Sequence, residues 1–272
     1  MRSSAGRTAV ITGAGSGIGR ALAEELARGG ARLALSDIHL DAVEETAERC
    51  RRLGARAEAY ALDVADRAAV FAHADEVAGA FGGVHLVVNN AGVALHGAVR
   101  DLAEPDMRWL MEIDYWGVVH GTQAFLPHLV ASGSGRLANI SSVFGLIAVP
   151  DQAAYNAAKF AVRGFTEALR QEMQRDRLPV SVSTVHPGGI RTAIARSARY
   201  SSPSAREGST ELFARVARTS PERAARVILR GVERRRARIL VGPDAWALAA
   251  LPRALGAHYG RVVVPSVRRL AP

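Results

Sequence analysis

Lysine and cysteine are almost missing from this chain. Of its 35 cationic side chains, Lys159 is the single lysine and the rest are arginine. Cys50 is the single cysteine, which excludes an intrachain disulfide and suits a reducing, cytoplasmic setting. No stretch approaches the roughly 18 apolar residues that a membrane span needs. The opening residues, MRSSAGRTAV, run straight into a strand-like segment without the apolar centre of a signal peptide. A soluble cytoplasmic protein is therefore expected, with no transmembrane segment and no metal. With 49% hydrophobic and 22% charged residues, the 272-residue chain can bury a sizeable core, and residues 1–272 are read as one domain.

Acidic residues are scarce only near the end. Residues 191–272 hold 17 basic and 5 acidic side chains, a balance of +12, whereas residues 1–190 hold 18 and 21, a balance of −3. The excess includes the run ERRRAR at 233–238, but no nucleic-acid-binding module accompanies it. A solvated helix face accounts for it better than a nucleic-acid partner, so none is expected. A nucleic-acid binder acting through this basic third is the rival class, and its signature is salt-sensitive DNA retention.

What is present is a repeated alternation of short apolar runs and longer helical patterns. TAVIT (8–12), RLALS (32–36), AEAYA (57–61), VHLVV (84–88), RLANIS (136–141), VSVSTV (180–185) and RILVG (238–242) read as strands. Helices are expected from about Ile18, Leu40 and Asp66, over about 106–131 and 152–175, and after the Ser220–Pro221 start signal. This order predicts an α/β fold of the Rossmann type: a doubly wound parallel sheet of about seven strands, with ligands at the strands' carboxyl ends. The Ser-, Arg- and Gly-rich stretch 197–210 reads as a mobile loop within a lid at about 190–215. A C-terminal extension at about 243–272 is left to cover the substrate cleft, pack in an oligomer or touch a membrane surface.

Directly after the first strand stands TGAGSGIG (12–19), opening a helix. Glycines there permit a tight turn and let the backbone approach a pyrophosphate, whose charge the helix N-terminus stabilises. Gly13, Ser16, Gly17, Ile18 and Gly19 are thus candidate cofactor residues. Asp37 ends the second strand 18 residues beyond Gly19, close to the ~20 expected of the carboxylate that accepts the adenosine ribose hydroxyls. No arginine or lysine follows it to hold a 2′-phosphate, so NAD is favoured over NADP. Arg20 is read as a solvated first-turn residue.

Four ordered motifs, TGxxxGxG at 12–19, NNAG at 89–92, Ser142 thirteen positions before YxxxK at 155–159, and PG at 187–188, together resemble the short-chain dehydrogenase/reductase family. The resemblance implies that Tyr155 exchanges a proton with a carbonyl or alcohol oxygen while hydride passes to or from a nicotinamide. A free phenol titrates near 10, so its phenolate needs a positive charge beside it. Lys159, one helical turn on, supplies that charge, and the resemblance implies that it holds the nicotinamide ribose; a broad, never-deprotonated guanidinium is a poor substitute. Ser142 is implied to bind the substrate oxygen, with Ser141 a bystander. A serine nucleophile is disfavoured because the Gly-x-Ser-x-Gly setting is missing.

The resemblance also implies that Asp63 and Val64 position adenine, that Asn90, Ala91 and Gly92 support the cofactor, and that Pro187, Gly188, Ile190 and Thr192 form the nicotinamide-side loop. Asn89 and Asp63 have plainer readings as caps of a strand end and a helix. One position departs from the pattern: Asp114 stands where the family usually has an asparagine that stabilises a helix kink and a proton relay. Aspartate loses the amide donor, which puts kink and relay in question, while its carboxylate favours a charged lysine.

Leu95, Val143, Phe144 and Gly189 are the expected substrate contacts, and their apolar character suits a lipophilic ketone or secondary alcohol. His96 reads as a polar rim residue. The lid arginines Arg191, Arg196, Arg199 and Arg206 suit an anionic handle, so the alternative is a 3-oxoacyl or 3-hydroxyacyl thioester reductase. A non-catalytic NAD(H) sensor is the remaining alternative. A homo-oligomer, a tetramer or dimer, is what the resemblance implies for assembly.

Overall fold

The computed structural model describes residues 4–270, except for the side chains of residues 204, 207, 208, 212 and 268–270. Among the described residues the strands are β1 (Thr8–Thr12), β2 (Arg32–Asp37), β3 (Ala57–Ala61), β4 (Leu86–Asn89), β5 (Leu95–His96), β6 (Gly135–Ile140), β7 (Val180–Pro187), β8 (Arg199–Tyr200) and β9 (Arg238–Val241). Seven form one parallel sheet in the order β3-β2-β1-β4-β6-β7-β9, and β5 pairs with β8. The helices are α1 (Gly17–Arg28), α2 (Leu40–Arg52), α3 (Arg67–Phe81), α4 (Glu104–Met111), α5 (Gly117–Ala131), α6 (Ala153–Arg175), α7 (Pro203–Val216), α8 (Pro221–Glu233), α9 (Pro243–Leu255) and α10 (Gly260–Leu270). The expected strands fall within about two residues of those observed.

Both sheet faces are covered, which is why the strands read as unbroken apolar runs. Ala9 and Ile11 of β1 pack with Leu22, Leu26, Val43 and Ile228 from α1, α2 and α8. Val10 between them points the other way, to Val77, Phe81, Phe125 and Leu129 from α3 and α5. Each of the fully buried large side chains contributes about 1.5–3 kcal/mol by leaving water. Local signals fix the helix starts: Asp66 accepts from the Ala69 N–H at 3.0 Å at α3, and Ser220 accepts from Arg223 N–H at 3.2 Å at α8.

The chain leaves β1 toward β2 on one side, while β4 flanks β1 on the other. That reversal opens a crevice at the carboxyl ends of β1 and β4, where the loop 13–16 and the segment 90–92 meet.

One expectation changes. The stretch read as a mobile loop is largely helical: Ser202 accepts from the Ala205 N–H at 3.2 Å and Pro203 occupies the first turn of α7. A cap and N-terminal proline outweigh a Ser- and Gly-rich composition. The preceding Arg199 and Tyr200 pair with Leu95 and His96, tying the lid to the body. The C-terminal extension forms α9 and α10 and packs at the substrate-side rim, where the Tyr259 hydroxyl accepts from the Ala148 N–H at 2.9 Å.

Candidate active site

The glycines of the β1–α1 loop are required by close approach. A Cβ on Gly13 would come within 2.7 Å of Ala91 Cα, and one on Gly19 would collide with the Gly13 carbonyl. Gly13 and Gly17 also have φ of 64° and 53°, which glycine adopts without strain. Asn90 fastens this loop to β4, its amide donating to the carbonyls of Thr12 (2.9 Å) and Gly13 (3.1 Å), while Thr12 Oγ1 accepts from the Asn90 and Ala91 N–H groups. Ser16 is extended and its side chain caps nothing, so the first-turn N–H groups of α1 lack a side-chain acceptor. Asp37 accepts from the Gly15 N–H at 3.0 Å and the His39 N–H at 3.1 Å, which holds its carboxylate at the mouth of the loop. Thr192 closes the other side, 3.1 Å from where a Gly17 Cβ would stand. Uncapped helix donors, a glycine cradle and a ribose-range carboxylate fit a dinucleotide.

At the neighbouring rim, Tyr155 and Lys159 share one face of α6. The Lys159 ammonium lies 5.5 Å from the Tyr155 ring centroid, 3.0 Å from Asp114 Oδ2 and 3.5 Å from the Ile140 carbonyl. Asp114 is fully buried and sits in a π-helical turn, Glu112–Trp116, between α4 and α5. Its other oxygen accepts from the Val93 N–H at 2.7 Å. The kink therefore persists without an asparagine, with one carboxylate oxygen ion-paired to the ammonium and the other accepting from a backbone donor. Gly92 leaves room for the pair: a Cβ there would sit 3.2 Å from Asp114 Oδ1 and 3.4 Å from Lys159 Nζ.

Charges and burial set the proton affinities. Burial lifts the Tyr155 phenol above its ordinary value; the Lys159 cation and a hydrogen bond from Ser142 oppose the rise, while the Asp114 anion adds to it. For Lys159, burial acts downward, but Asp114 and Tyr155 outweigh it and the ammonium is held above its ordinary value. Burial lifts Asp114, against the pull of Lys159 and the Val93 N–H. Ser142 caps a short 3₁₀ turn at Val143–Gly145, accepting from the Phe144 N–H at 3.1 Å, and its carbonyl meets His186 Nδ1 at 2.8 Å. Ser141 turns away and donates to the Lys159 carbonyl at 2.8 Å, a structural contact.

The family model for short chain dehydrogenases matches residues 7–202. The chain belongs to the short-chain dehydrogenase/reductase family. It is 53% identical over 273 residues to SadH, an oxidoreductase by name, of Mycobacterium tuberculosis, covering 100% of this chain and 99% of that protein. It is 35% identical over 196 residues to mouse estradiol 17-beta-dehydrogenase 11, covering 72% of this chain and 66% of that one. A Burkholderia phymatum short-chain dehydrogenase/reductase, solved in complex with NAD, superposes with a TM-score of 0.87 at 31% identity, over 93% of this chain and 95% of that one. As a short-chain dehydrogenase/reductase the protein is an oxidoreductase acting on CH–OH groups with NAD(P).

The remaining candidate residues of this short-chain dehydrogenase/reductase are distributed around that centre. Asp63 accepts from the Ala65 N–H at 2.9 Å and caps no helix, that role belonging to Asp66. Val64 is buried against Gly117. Asn89 does not cap its strand; it is buried and donates to Asn139 (2.8 Å) and Thr122 (3.2 Å) across the core. Pro187 ends β7, and Ile190 is buried and bridges to Thr219. Val143 is buried and Phe144 packs edge-on to Tyr155 at 6.3 Å, whereas Leu95 lies in the core cluster that also backs Tyr155. His96 stacks on Tyr200 and hydrogen-bonds Ser209 at 2.9 Å, so it belongs to the lid attachment.

Sequence reasoning misread Arg20 and Arg199 and missed Asp244. Arg20 is not solvated: it donates to the Gly15 carbonyl at 2.6 Å, to Thr46 at 3.1 Å and to Glu45 at 2.9 Å, clamping the glycine loop to α2. Asp244, at the start of α9, accepts from the Gly189 N–H at 2.7 Å and so braces the nicotinamide-side loop. Arg199 joins Asp106 at 2.7 Å and lies 3.8 Å over the Trp109 ring. All three act on partners far away in the chain, and no local motif announces them.

Proposed function

We propose that the protein interconverts a lipophilic secondary alcohol and its ketone with NAD(H), with Tyr155 as acid/base. The observation that carries this is the convergence of Tyr155, Lys159, Ser142 and Asp114 at the rim where the glycine loop and the 187–192 segment meet. When bound, the dinucleotide supplies the hydride chemistry. The first-turn amides of α1 hold its pyrophosphate and Asp37 its adenosine ribose. Asp63 and Val64 flank the adenine, and Pro187, Gly188, Ile190 and Thr192 border the nicotinamide. Ser142 orients the substrate oxygen. Tyr155 donates the proton in ketone reduction or removes it in alcohol oxidation, and Lys159 lowers the cost of the phenolate.

NAD over NADP rests on Asp37 and on the occupation of Arg20, the nearest cation, by Gly15, Thr46 and Glu45. The lipophilic class rests on the buried or half-buried apolar residues around Tyr155, Val143 and Phe144 among them, and agrees with the steroid named for the mouse relative. The thioester reading keeps one support: Arg191 and Arg196 line a cavity of about 570 Å³ beside Ser16 and Thr192, with the Glu222 carboxylate acting on Arg191 there. Arg199 is committed to Asp106 and drops out of it.

Residues 1–272 act as one dinucleotide-binding unit in this reading, working in the cytoplasm. Among the described residues no helix is long and apolar enough to cross a membrane. Assembly into a homodimer or tetramer is supported by Trp116 and Phe160, large apolar side chains left 43% and 39% exposed on the π turn and α6. Oxidation of NADH and NADPH measured against a panel of steroid, aliphatic and 3-oxoacyl thioester ketones tests the proposal. Turnover is expected with NADH and an apolar ketone. NADH binding without turnover on any member would favour the sensor, and faster thioester turnover the alternative enzyme.

A further inference from the structure

At the opposite rim the strands begin, and arginines crowd there around a neutral His85, whose Nδ1 accepts from the Thr8 N–H at 3.2 Å. Arg7 precedes β1, Arg32 opens β2, His85 precedes β4 and Arg136 is second in β6. Backbone hydrogen bonds order them into a row: Arg32 N–H donates to the Arg7 carbonyl at 2.9 Å, His85 N–H to the Thr8 carbonyl at 3.0 Å, and Arg136 N–H to the His85 carbonyl at 2.9 Å. Arg136 pairs in register with Ser181 of β7, and Arg235 stands in the turn before β9. Neighbouring strands are about 5 Å apart, so Arg7 and Arg136 stand two strands apart on the sheet face of Ala9 and Leu86, whereas Arg32 and Thr8 lie on the other face.

This row is short of acceptors. Arg56, at its outer edge, is neutralised by Glu58 at 2.5 Å. Arg32 reaches Thr8 Oγ1 at 2.9 Å with one nitrogen, but its buried Nε has no partner. Among the described residues, no hydrogen bond or ion pair reaches the guanidinium of Arg7 or Arg136. Arg136 Nε and Ser181 Oγ are likewise buried and unpartnered. The cations are close enough to repel one another: burial, then Arg7, and also Arg235, depress the Arg136 pKa, with Glu233 the opposing carboxylate. Burial, then Arg7 and Arg32, depress that of His85. Buried donors without acceptors cost about 1–3 kcal/mol each, and crowded like charges add to that. A compact polyvalent oxyanion relieves the crowding, since guanidinium forks match phosphate oxygens.

We propose that this strand-start rim, centred on Arg7 and Arg136 with Ser181 and Arg235 beside them, binds a small phosphorylated anion. The site is distinct from the dinucleotide crevice, separated from it by the length of β1, roughly 16 Å.

Calorimetric titration of the full chain with inorganic pyrophosphate, in saturating NADH so that the crevice is filled, tests it. Saturable binding is expected above a chloride control of equal ionic strength. Arg136→Met and Arg7→Met should each weaken it at least tenfold. Without pyrophosphate, Arg136→Met should melt no lower than the parent, because a merely structural arginine would leave a less stable protein and this one leaves less repulsion. Arg7→Met, at a half-exposed position before the sheet, carries the test if Arg136→Met folds poorly. Binding no stronger than chloride, binding unchanged in the double variant, or retention of DNA in place of saturable pyrophosphate uptake would overturn the proposal.

Discussion

At the scale of single residues, Asp114 sets this site apart. A buried carboxylate 3.0 Å from the Lys159 ammonium offsets part of the positive field that lowers the cost of a Tyr155 phenolate. Because Asp114 acts to raise the Tyr155 pKa, removing its charge lets that pKa fall. In Asp114→Asn, the rise of kcat/KM for alcohol oxidation with pH should move to lower pH, as should the alkaline decline of ketone reduction. A profile unmoved along the pH axis would show that the ammonium governs Tyr155 alone. The two groups also protect each other's burial: Lys159→Met leaves an unpaired buried carboxylate and should cost about 3–5 kcal/mol of stability, with Asp114→Asn restoring much of it in the double variant. Chemical denaturation of the three variants checks this. Tyr155, Lys159 and Ser142 were proposed from the family resemblance, whose motif lies within one helix and the turn before it. The resemblance also flagged Asp114, but not the ion pair, which depends on how a π turn faces α6.

At the scale of elements, the strands were legible because burial on both faces leaves unbroken apolar runs, as Val10 between Ala9 and Ile11 shows. The lid was not legible. Its helix α7 hides a Ser202 cap inside a Ser-rich stretch, and its anchors join residues 93 apart, Arg199 to Asp106, and 113 apart, His96 to Ser209. Arg20 and Asp244 were opaque for the same reason, their contacts spanning 25 and 55 positions. The Arg199 ion pair is half-exposed, worth about 0.2–1 kcal/mol, and its stacking on Trp109 adds roughly 0.5–1 kcal/mol. Arg199→Ala should therefore raise amide exchange across 199–216 several-fold and raise KM with little change in kcat. Unchanged exchange there would mean that the β5–β8 pairing alone holds the lid.

At the scale of the whole molecule, three histidines are folded into neutral environments. Burial brings His73, His96 and His186 down to about 4, below the 6.5 of a free imidazole. Between those values the unfolded chain takes up protons that the folded one refuses, so stability falls as pH drops from about 6.5 to 4. Each such histidine contributes a slope of roughly 1.4 kcal/mol per pH unit at most. Melting curves should show a steep loss of Tm over that window, flattened in His73→Phe; a flat profile would place these rings in contact with water.

The central claim is that Tyr155 moves the proton while the rest of the site binds and orients. Single-turnover oxidation of bound NADH by an accepted ketone, compared between the parent and Tyr155→Phe, tests it most directly. The account predicts a loss of about 10²–10⁴ in the chemical step with NADH affinity unchanged. A Tyr155→Phe protein that turned over within a fewfold of the parent would contradict it.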